Sequence, residues 1–247
     1  MGSIPQAMEY PDNIRRWKKK LVMAAAAPYR SAGRFAWHFA RGKLGGDPVF
    51  PELLRQGLMA SNSHILDLGC GQGLLAAWLR AAEKLYSSGD WPENWPPAPT
   101  QLTIRGLELM PRDVQRGKAA LGSQATIEQA DIRTADFGQA DIVVILDVLH
   151  YMDYTAQEAV LRRVRKALSN HGTLLMRIGD AASGWRFKLS NGVDAVVAAA
   201  RGHGRVRLYG RSSGQWRSVL EQLGFTVEPI AMGYGTPFAN ILLVGRV

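Results

Sequence analysis

The sequence predicts a doubly wound α/β fold, in which a mostly parallel seven-stranded sheet carries helices on both faces and further helices precede it. Three observations predict it. Strand-like and helix-like segments alternate from His64 for about 115 residues, the rhythm of a parallel sheet built from crossover units. The segment DIVVILDVL (141–149) is almost continuously apolar, as a strand buried on both faces must be. A glycine-rich turn, Gly69-Cys70-Gly71-Gln72-Gly73, lies directly between the first strand and the first helix of the series.

The elements follow in order. Residues 1–13 are polar and are expected to be loosely held. IRRWKKKLVMAAAA (14–27) reads as a helix that Pro28 ends, and YRSAGRFAWHFAR (29–41) as a second, closed by Gly42 and by Gly45-Gly46-Asp47-Pro48. Pro51 to Met59 allows a third short helix. HILDLG is the first strand and LLAAWLRAAEKLY its helix. SSGDWPENWPPAPTQ (87–101) is a Pro/Trp-rich surface loop. LTIRGLEL is the second strand, PRDVQRGKAALG a helix with Pro in its first turn, and ATIEQA the third strand. After the apolar fourth strand, residues 155–172 read as a helix with Thr155 as N-cap, Glu158 closing a capping box and Gly172 just past its end. TLLMRIG is the fifth strand. Residues 181–210 break the rhythm and read as an insertion. Ser212 and Gln215 match a capping box, and closing strands fall near 225–231 and 238–246. The expected organisation is an N-terminal helical segment, 1–60, covering an active site, and a sheet domain, 61–247.

Composition narrows the function classes. With 47% hydrophobic and 21% charged residues the chain can bury a sizeable core, which excludes global disorder. No apolar run reaches the length of a membrane span, and the start MGSIPQAMEYPDN lacks a basic-then-apolar signal pattern, so a cytoplasmic protein is expected. One cysteine, Cys70, excludes an internal disulfide. The net charge of +9 is uneven. Residues 1–60 carry 10 Lys/Arg against 4 Asp/Glu, residues 61–183 carry 12 against 14, and residues 184–247 carry 8 against 3. Basic flanks around a near-neutral middle favour an anionic partner.

The glycine turn carries the chemistry. A bend this tight, lying close to a ligand, needs residues without a Cβ. It sits at the carboxyl end of a first strand, where open α/β sheets bind ligands. Leu74 stands where a dinucleotide fingerprint has its third glycine, and no Gly-Lys-Ser/Thr follows. What stands there is D-x-G-x-G-x-G from Asp67 to Gly73. This segment resembles the first motif of the class I S-adenosylmethionine-dependent methyltransferases of small-molecule type.

That resemblance implies a Rossmann-like domain with an antiparallel last strand, and S-adenosyl-L-methionine as cofactor, leaving S-adenosyl-L-homocysteine. It places Asp67, Gly69, Cys70, Gly71, Gly73 and Leu74 around the amino-acid end of the cofactor. Glu108, with Leu109, ends the second strand as the ribose-binding acid. It lies 35 positions after Gly73 where about 20 is usual, and the 87–101 loop accounts for the excess. Asp131 and Ile132 correspond to the adenine station, and Asp147 and Val148 to the strand end beneath the methyl donor. A sulfonium carries its own leaving group, so the protein need only align, exclude water and, where needed, remove a proton. His150 is the candidate base, because it titrates near neutrality, and its alternative is a packing or cofactor contact. Tyr151 is a further catalytic candidate, and Asp153 a weaker one. Some relatives bind a metal here through a Glu and a Glu-His set. Asp147, His150 and Tyr151 occupy those places, so no metal is expected. Cys70 is read as a small loop residue rather than a nucleophile.

The acceptor is least legible. Tyr29, Arg34 and His38, together with His150, are its candidate contacts, on an aromatic and cationic face shared with Arg30, Phe35, Trp37 and Phe39. Such a face suits an aromatic or acidic small molecule, free or carrier-bound. PYRSAGRFAWHFARGKLGGDPVF followed by ILDLGCGQGLLA also resembles methyltransferases of aryl-polyene and xanthomonadin-type pigment clusters, which implies a hydroxyphenyl head group or its carrier-bound precursor. Two alternatives remain. One is an RNA methyltransferase using the basic flanks, although the fourth strand lacks the Asn/Asp-Pro-Pro-aromatic sequence of base-amino enzymes. The other is a non-catalytic cofactor-binding scaffold.

Overall fold

The computed structural model describes residues 10–179, 208–232 and 240–247. Seven strands form one mixed sheet: β1 (His64–Leu68), β2 (Thr103–Glu108), β3 (Thr126–Gln129), β4 (Ala140–Leu146), β5 (Leu168–Gly179), β6 (Thr226–Ala231) and β7 (Asn240–Arg246). Their order is β3-β2-β1-β4-β5-β7-β6. β1 pairs in parallel with β2, with Asp67 opposite Gly106, and β2 pairs in parallel with β3, with Glu108 opposite Gln129. β7 runs antiparallel to both β5 and β6. The expected antiparallel last strand is therefore present. The insertion read at 181–210 lies, except for its last three residues, outside the described residues.

The described residues fall into two compact units. One holds residues 10–136 and 140–142. In it, α1 (Asp12–Ala26), α2 (Arg34–Gly46) and α3 (Val49–Arg55) pack with α4 (Leu74–Ser87) and α5 (Pro111–Leu121). The other holds 137–139 and the described residues from 143 onward, with α6 (Tyr154–Ala167) and α7 (Ser213–Gln222). No helix among the described residues is long and apolar enough to cross a membrane.

In the first unit, α4 buries Leu75, Trp78, Leu79 and Ala82, at helical spacing along one face. The Trp78 indole donates to the Phe50 carbonyl at 2.9 Å, which ties α4 to α3. α2 begins at Arg34, after a 3-10 turn over Ala27–Arg30, and continues to Gly46. Sequence reading stopped it at Arg41 because of its glycines. Ala36, Ala40 and Leu44 are fully buried at four-residue spacing, and that packing outweighs the propensity of Gly42, Gly45 and Gly46.

Two other expectations change. Tyr10 is not loose: its hydroxyl donates to Glu52 at 2.9 Å. The 87–101 loop is not a free surface loop. Trp91 and Trp95 pack edge-on against Trp17 of α1, both at 5.1 Å, and the buried Trp17 indole donates to the Asp90 carbonyl at 3.0 Å. Hydrophobic area holds the insertion down.

In the second unit α6 starts one residue earlier than read. Asp153, not Thr155, is the N-cap, its side chain accepting from the Ala156 amide. The helix ends at Ala167, and residues to Gly172 belong to β5. Glu158 pairs with Arg211 at 2.7 Å instead of closing a capping box. The box read at Ser212 and Gln215 is present.

Replacing Trp17 with Ala should remove about 3–5 kcal/mol of stability, the usual loss for a buried tryptophan. The unfolding midpoint in urea reads it. A midpoint within error of the parent would show that the Trp91–Trp95 loop does not depend on α1.

Candidate active site

The glycine turn is built by its neighbours. Asp67 ends the apolar run of β1, and the chain then bends through Gly69, Gly71 and Gly73, all at positive φ. The Gly69 and Cys70 amides both donate to the Leu107 carbonyl, at 2.8 and 3.2 Å, so the turn hangs from the end of β2. The Gly71 amide donates to Glu108 Oε2 at 2.8 Å, and the Met110 amide to Glu108 Oε1 at 2.8 Å. One carboxylate thus fixes the middle of the turn and its own strand end.

Two glycines have distinct reasons. At Gly73 a Cβ would sit 2.6 Å from Leu121 Cδ1, so the residue is required by packing as well as by its φ of 78°. At Gly71, φ is 57° but a Cβ would meet nothing within 4 Å. The backbone is open there, so a ligand can approach the chain itself. Leu74 begins α4, whose N-terminus has no side-chain cap; its first amides can face a carboxylate.

Support comes from behind the turn. Tyr29 is fully buried, and its hydroxyl donates to the Gln72 carbonyl at 2.9 Å. This corrects its reading as an acceptor contact: its polar atom is spent on the turn. Gln72 is itself buried. Its Nε2 donates to the Ala36 carbonyl at 3.0 Å, and its Oε1 has no hydrogen-bond partner. Gly117 of α5 lets that helix approach the same carbonyl, since a Cβ would lie 3.1 Å from it. Cys70 is buried with its sulfur over Gly106, where a Cβ would lie only 2.6 Å away. Burial, together with the nearby Asp67 and Glu108 carboxylates, pushes the Cys70 thiol well up, so it is no nucleophile.

Asp67 is the electrostatic centre. Its side chain is buried, and among the described residues no group donates a hydrogen bond to it. Burial, reinforced by Glu108, pushes its carboxyl up to about 7. A buried carboxylate with no protein hydrogen bond among the described residues, beside an open glycine backbone, is suited to a cationic ligand group.

The remaining stations are also placed. Leu109 follows Glu108 and is half exposed, offering apolar surface. Asp131 follows β3. Its carboxylate is held by the Arg133 guanidinium and the Arg133 amide, which keep it below the usual carboxylate range, and Ile132 beside it is buried.

In the second unit, Asp147 and Val148 follow β4. Asp147 takes φ of 58°, the left-handed region, and pairs through both oxygens with Arg177 of β5. Leu149–Tyr151 form a 3-10 turn, with the His150 and Tyr151 rings 4.2 Å apart. Burial lowers His150, against the opposing pull of Asp147, so the imidazole is neutral at neutral pH. Sequence reading missed Arg177, although a lone cation in TLLMRIG was the available signal.

On α2, Arg34 and His38 are exposed. Two guanidinium groups lie over the Trp37 ring, Arg30 at 5.2 Å and Arg41 at 4.7 Å. Phe35 stacks on Phe39 at 6.0 Å, and Arg116 lies 4.5 Å from the Phe35 ring. Among the described residues no group of three His, Cys, Asp or Glu side chains is placed to hold a metal.

Residues 66–174 match the family model described as a methyltransferase domain. The match spans less than half of the chain; it opens inside β1, one residue before Asp67, and closes inside β5. Among curated proteins, carboxy-S-adenosyl-L-methionine synthase of Chromohalobacter salexigens is 29% identical over 119 residues, which is 46% of this chain and 39% of that protein. The alignment thus spans about two fifths of its relative's length. Among solved structures, an O-methyltransferase family protein from Burkholderia thailandensis aligns with a TM-score of 0.58 at 20% identity, over 88% of this chain and 61% of that one. Magnesium protoporphyrin IX methyltransferase from Synechocystis, solved with bound S-adenosylhomocysteine, aligns with a TM-score of 0.55 at 17% identity, over 95% and 98%. These likenesses establish the class I methyltransferase fold.

The burial of Asp67 has a measurable sign. Its carboxyl ordinarily titrates at 3.8 and in the fold at about 7, so the folded state holds a proton that the unfolded chain releases. Stability is therefore lost as pH rises through this window, by on the order of 4 kcal/mol. Asp67→Asn should recover that loss, and its melting temperature should fall less than the parent's between pH 4.5 and 7.5. Parallel curves for the two proteins would refute an unsatisfied, buried carboxyl.

Proposed function

We propose that this chain transfers a methyl group from S-adenosyl-L-methionine to a small aromatic or acidic acceptor, free or carrier-bound. The observation that carries the reading is the buried, unpartnered Asp67 carboxylate beside a glycine turn whose middle residue faces open space. The residues fit the cofactor. Asp67 would accept the ammonium group of its methionine part, and the first amides of α4 its carboxylate. Each Glu108 oxygen accepts one amide and keeps capacity for a ribose hydroxyl. Leu109 offers apolar cover for a flat base, with Asp131 and Ile132 at the adenine station. When bound, S-adenosylmethionine supplies a methyl group on a positively charged sulfur.

The chain's own groups then hold, orient and deprotonate. His150, kept neutral by its surroundings, would take a proton from an acceptor hydroxyl at Nε2 or Nδ1, with Tyr151 beside it. Arg34 and His38 are exposed cationic and polar groups for an anionic acceptor. A hydroxyphenyl head group offers the acidic proton and nucleophilic oxygen on which such a base would act. The RNA reading draws on the same α2 face: Arg30, Arg34 and Arg41 have no carboxylate partner among the described residues. The Trp37 ring, however, already carries two guanidinium groups, which leaves less of it for base stacking.

Calorimetry with S-adenosylhomocysteine should show one site. Its affinity should rise about tenfold from pH 6 to 8, as Asp67 sheds its proton. Asp67→Ala and Gly71→Val should abolish binding while the fold is retained. Wild-type affinity in both variants would defeat the site. Given a working acceptor, His150→Ala should lower kcat about 10²–10⁴-fold. In the parent, the acid limb of kcat should lie below pH 6.5, because burial lowers the histidine. Unchanged turnover in His150→Ala removes the base. Transfer to RNA that ribonuclease abolishes would favour the nucleic-acid reading.

A further inference from the structure

The pair Asp147–Arg177 has no role in the reading above. Arg177 stands in the middle of an apolar strand segment, and its side chain is 2% exposed, against 26% for Asp147. Its Nε donates to Asp147 Oδ1 at 2.9 Å, and its Nη2 donates to Asp147 Oδ2, a two-pronged contact that lysine cannot reproduce. The Asp147 amide also reaches the Arg177 carbonyl, at 3.4 Å. A buried ion pair is weak support for stability, because well-packed apolar residues of similar volume often serve as well. What this pair does hold is a backbone state. Asp147 has φ of 58°, a left-handed state that is uncommon outside glycine though Asp is among the residues that take it most readily, and the Arg177 fork fixes its carboxylate there. Directly after it the chain turns through Leu149–Tyr151, and that turn carries His150.

We propose that Arg177 is a positioning residue: by clasping Asp147 in the left-handed bend at the end of β4, it sets the place of His150 and neutralises the carboxylate next to it. The proposal rests on His150 being the base, but its first readout does not.

Several groups bear on the imidazole. Asp147 lies before it and favours its protonated form, and the Arg177 guanidinium balances that carboxylate. The Tyr151 ring stands 4.2 Å away. Tyr209 donates its amide to the His150 carbonyl at 2.8 Å. Removing the guanidinium takes from Asp147 the counter-charge that the fork supplies. The charged imidazole is then favoured, and its titration moves upward.

The test is the His150 titration, followed by NMR of the imidazole protons in the full chain, together with kcat and KM against pH. Arg177→Met should raise the His150 midpoint by about one pH unit. It should move the acid limb of kcat upward by the same amount and lower kcat about tenfold, with the KM for the acceptor little changed. Asp147→Asn added to Arg177→Met removes both charges and should return the midpoint to the parent's side. Arg177→Lys keeps the cation but not the fork, so it should leave the midpoint near the parent value while still lowering kcat. If Arg177→Met does not fold, Arg177→Lys and Asp147→Asn carry the test; Asp147→Asn alone should lower the midpoint. A His150 midpoint that is the same in the parent, Arg177→Met and Asp147→Asn overturns the proposal. So does an Arg177→Lys enzyme with parental kcat. If His150→Ala keeps full turnover, the base reading fails, and the NMR midpoints still decide whether Arg177 governs the turn.

Discussion

The Glu108 carboxylate is the fastening on which the glycine turn depends. Its two oxygens hold two amides that belong to different strand ends, Gly71 after β1 and Met110 after β2. A three-glycine turn has little conformational preference of its own. Without an acceptor at its middle, its amides would point to water and the bend would be one of many. The carboxylate selects one bend, and α5 follows immediately after. On the proposed reading the same group would also accept a sugar, so binding and preorganisation would not be separable at this residue.

The layers behind the turn explain why so many small or buried residues converge there. Gly106 makes room for the Cys70 sulfur, Gly117 lets α5 close on Gln72, and Tyr29 donates its hydroxyl to that same peptide. Each contact is to backbone or to a small atom, so the turn is held without side chains entering the space beside Gly71. The N-terminal helices are part of this support. Their aromatic and cationic outer face differs chemically from the buried face that carries Tyr29, Ala36 and Ala40.

How much of this was legible in the sequence follows from the range of each interaction. The alternation of strands and helices, the glycine turn, Glu108 and the Ser212–Gln215 box are local patterns, and local patterns can be read from spacing. The 35-position gap before Glu108 was readable because a Pro/Trp-rich insertion is conspicuous. Long-range contacts were not readable in the same way. Tyr29 looked like a surface aromatic because nothing in its neighbourhood of sequence says that Gln72, 43 positions on, takes its hydroxyl. The length of α2 was misjudged for the same reason: propensity penalised its glycines while distant packing of Leu44 extended it. Thr155 reads as the cap from its capping-box spacing to Glu158, whereas the helix start is set by the Asp153 carboxylate accepting from the Ala156 amide.

Two buried charges in this molecule are treated in opposite ways, and the contrast separates binding from positioning. Arg177 is buried with a partner that meets its fork, so its charge is satisfied in the protein alone, and it can serve only to hold its neighbours still. Asp67 is buried without one, so its burial opposes folding at neutral pH. A residue of the second kind either takes up a proton or is completed by a cationic group from outside the chain. The group that would do so must be cationic, small enough to reach the end of β1, and attached to a body that can lie along bare backbone at Gly71. An amino-acid ammonium group meets those three conditions. A nicotinamide dinucleotide or a nucleoside triphosphate would instead bring phosphates toward Asp67 and Glu108, adding negative charge where two carboxylates already repel.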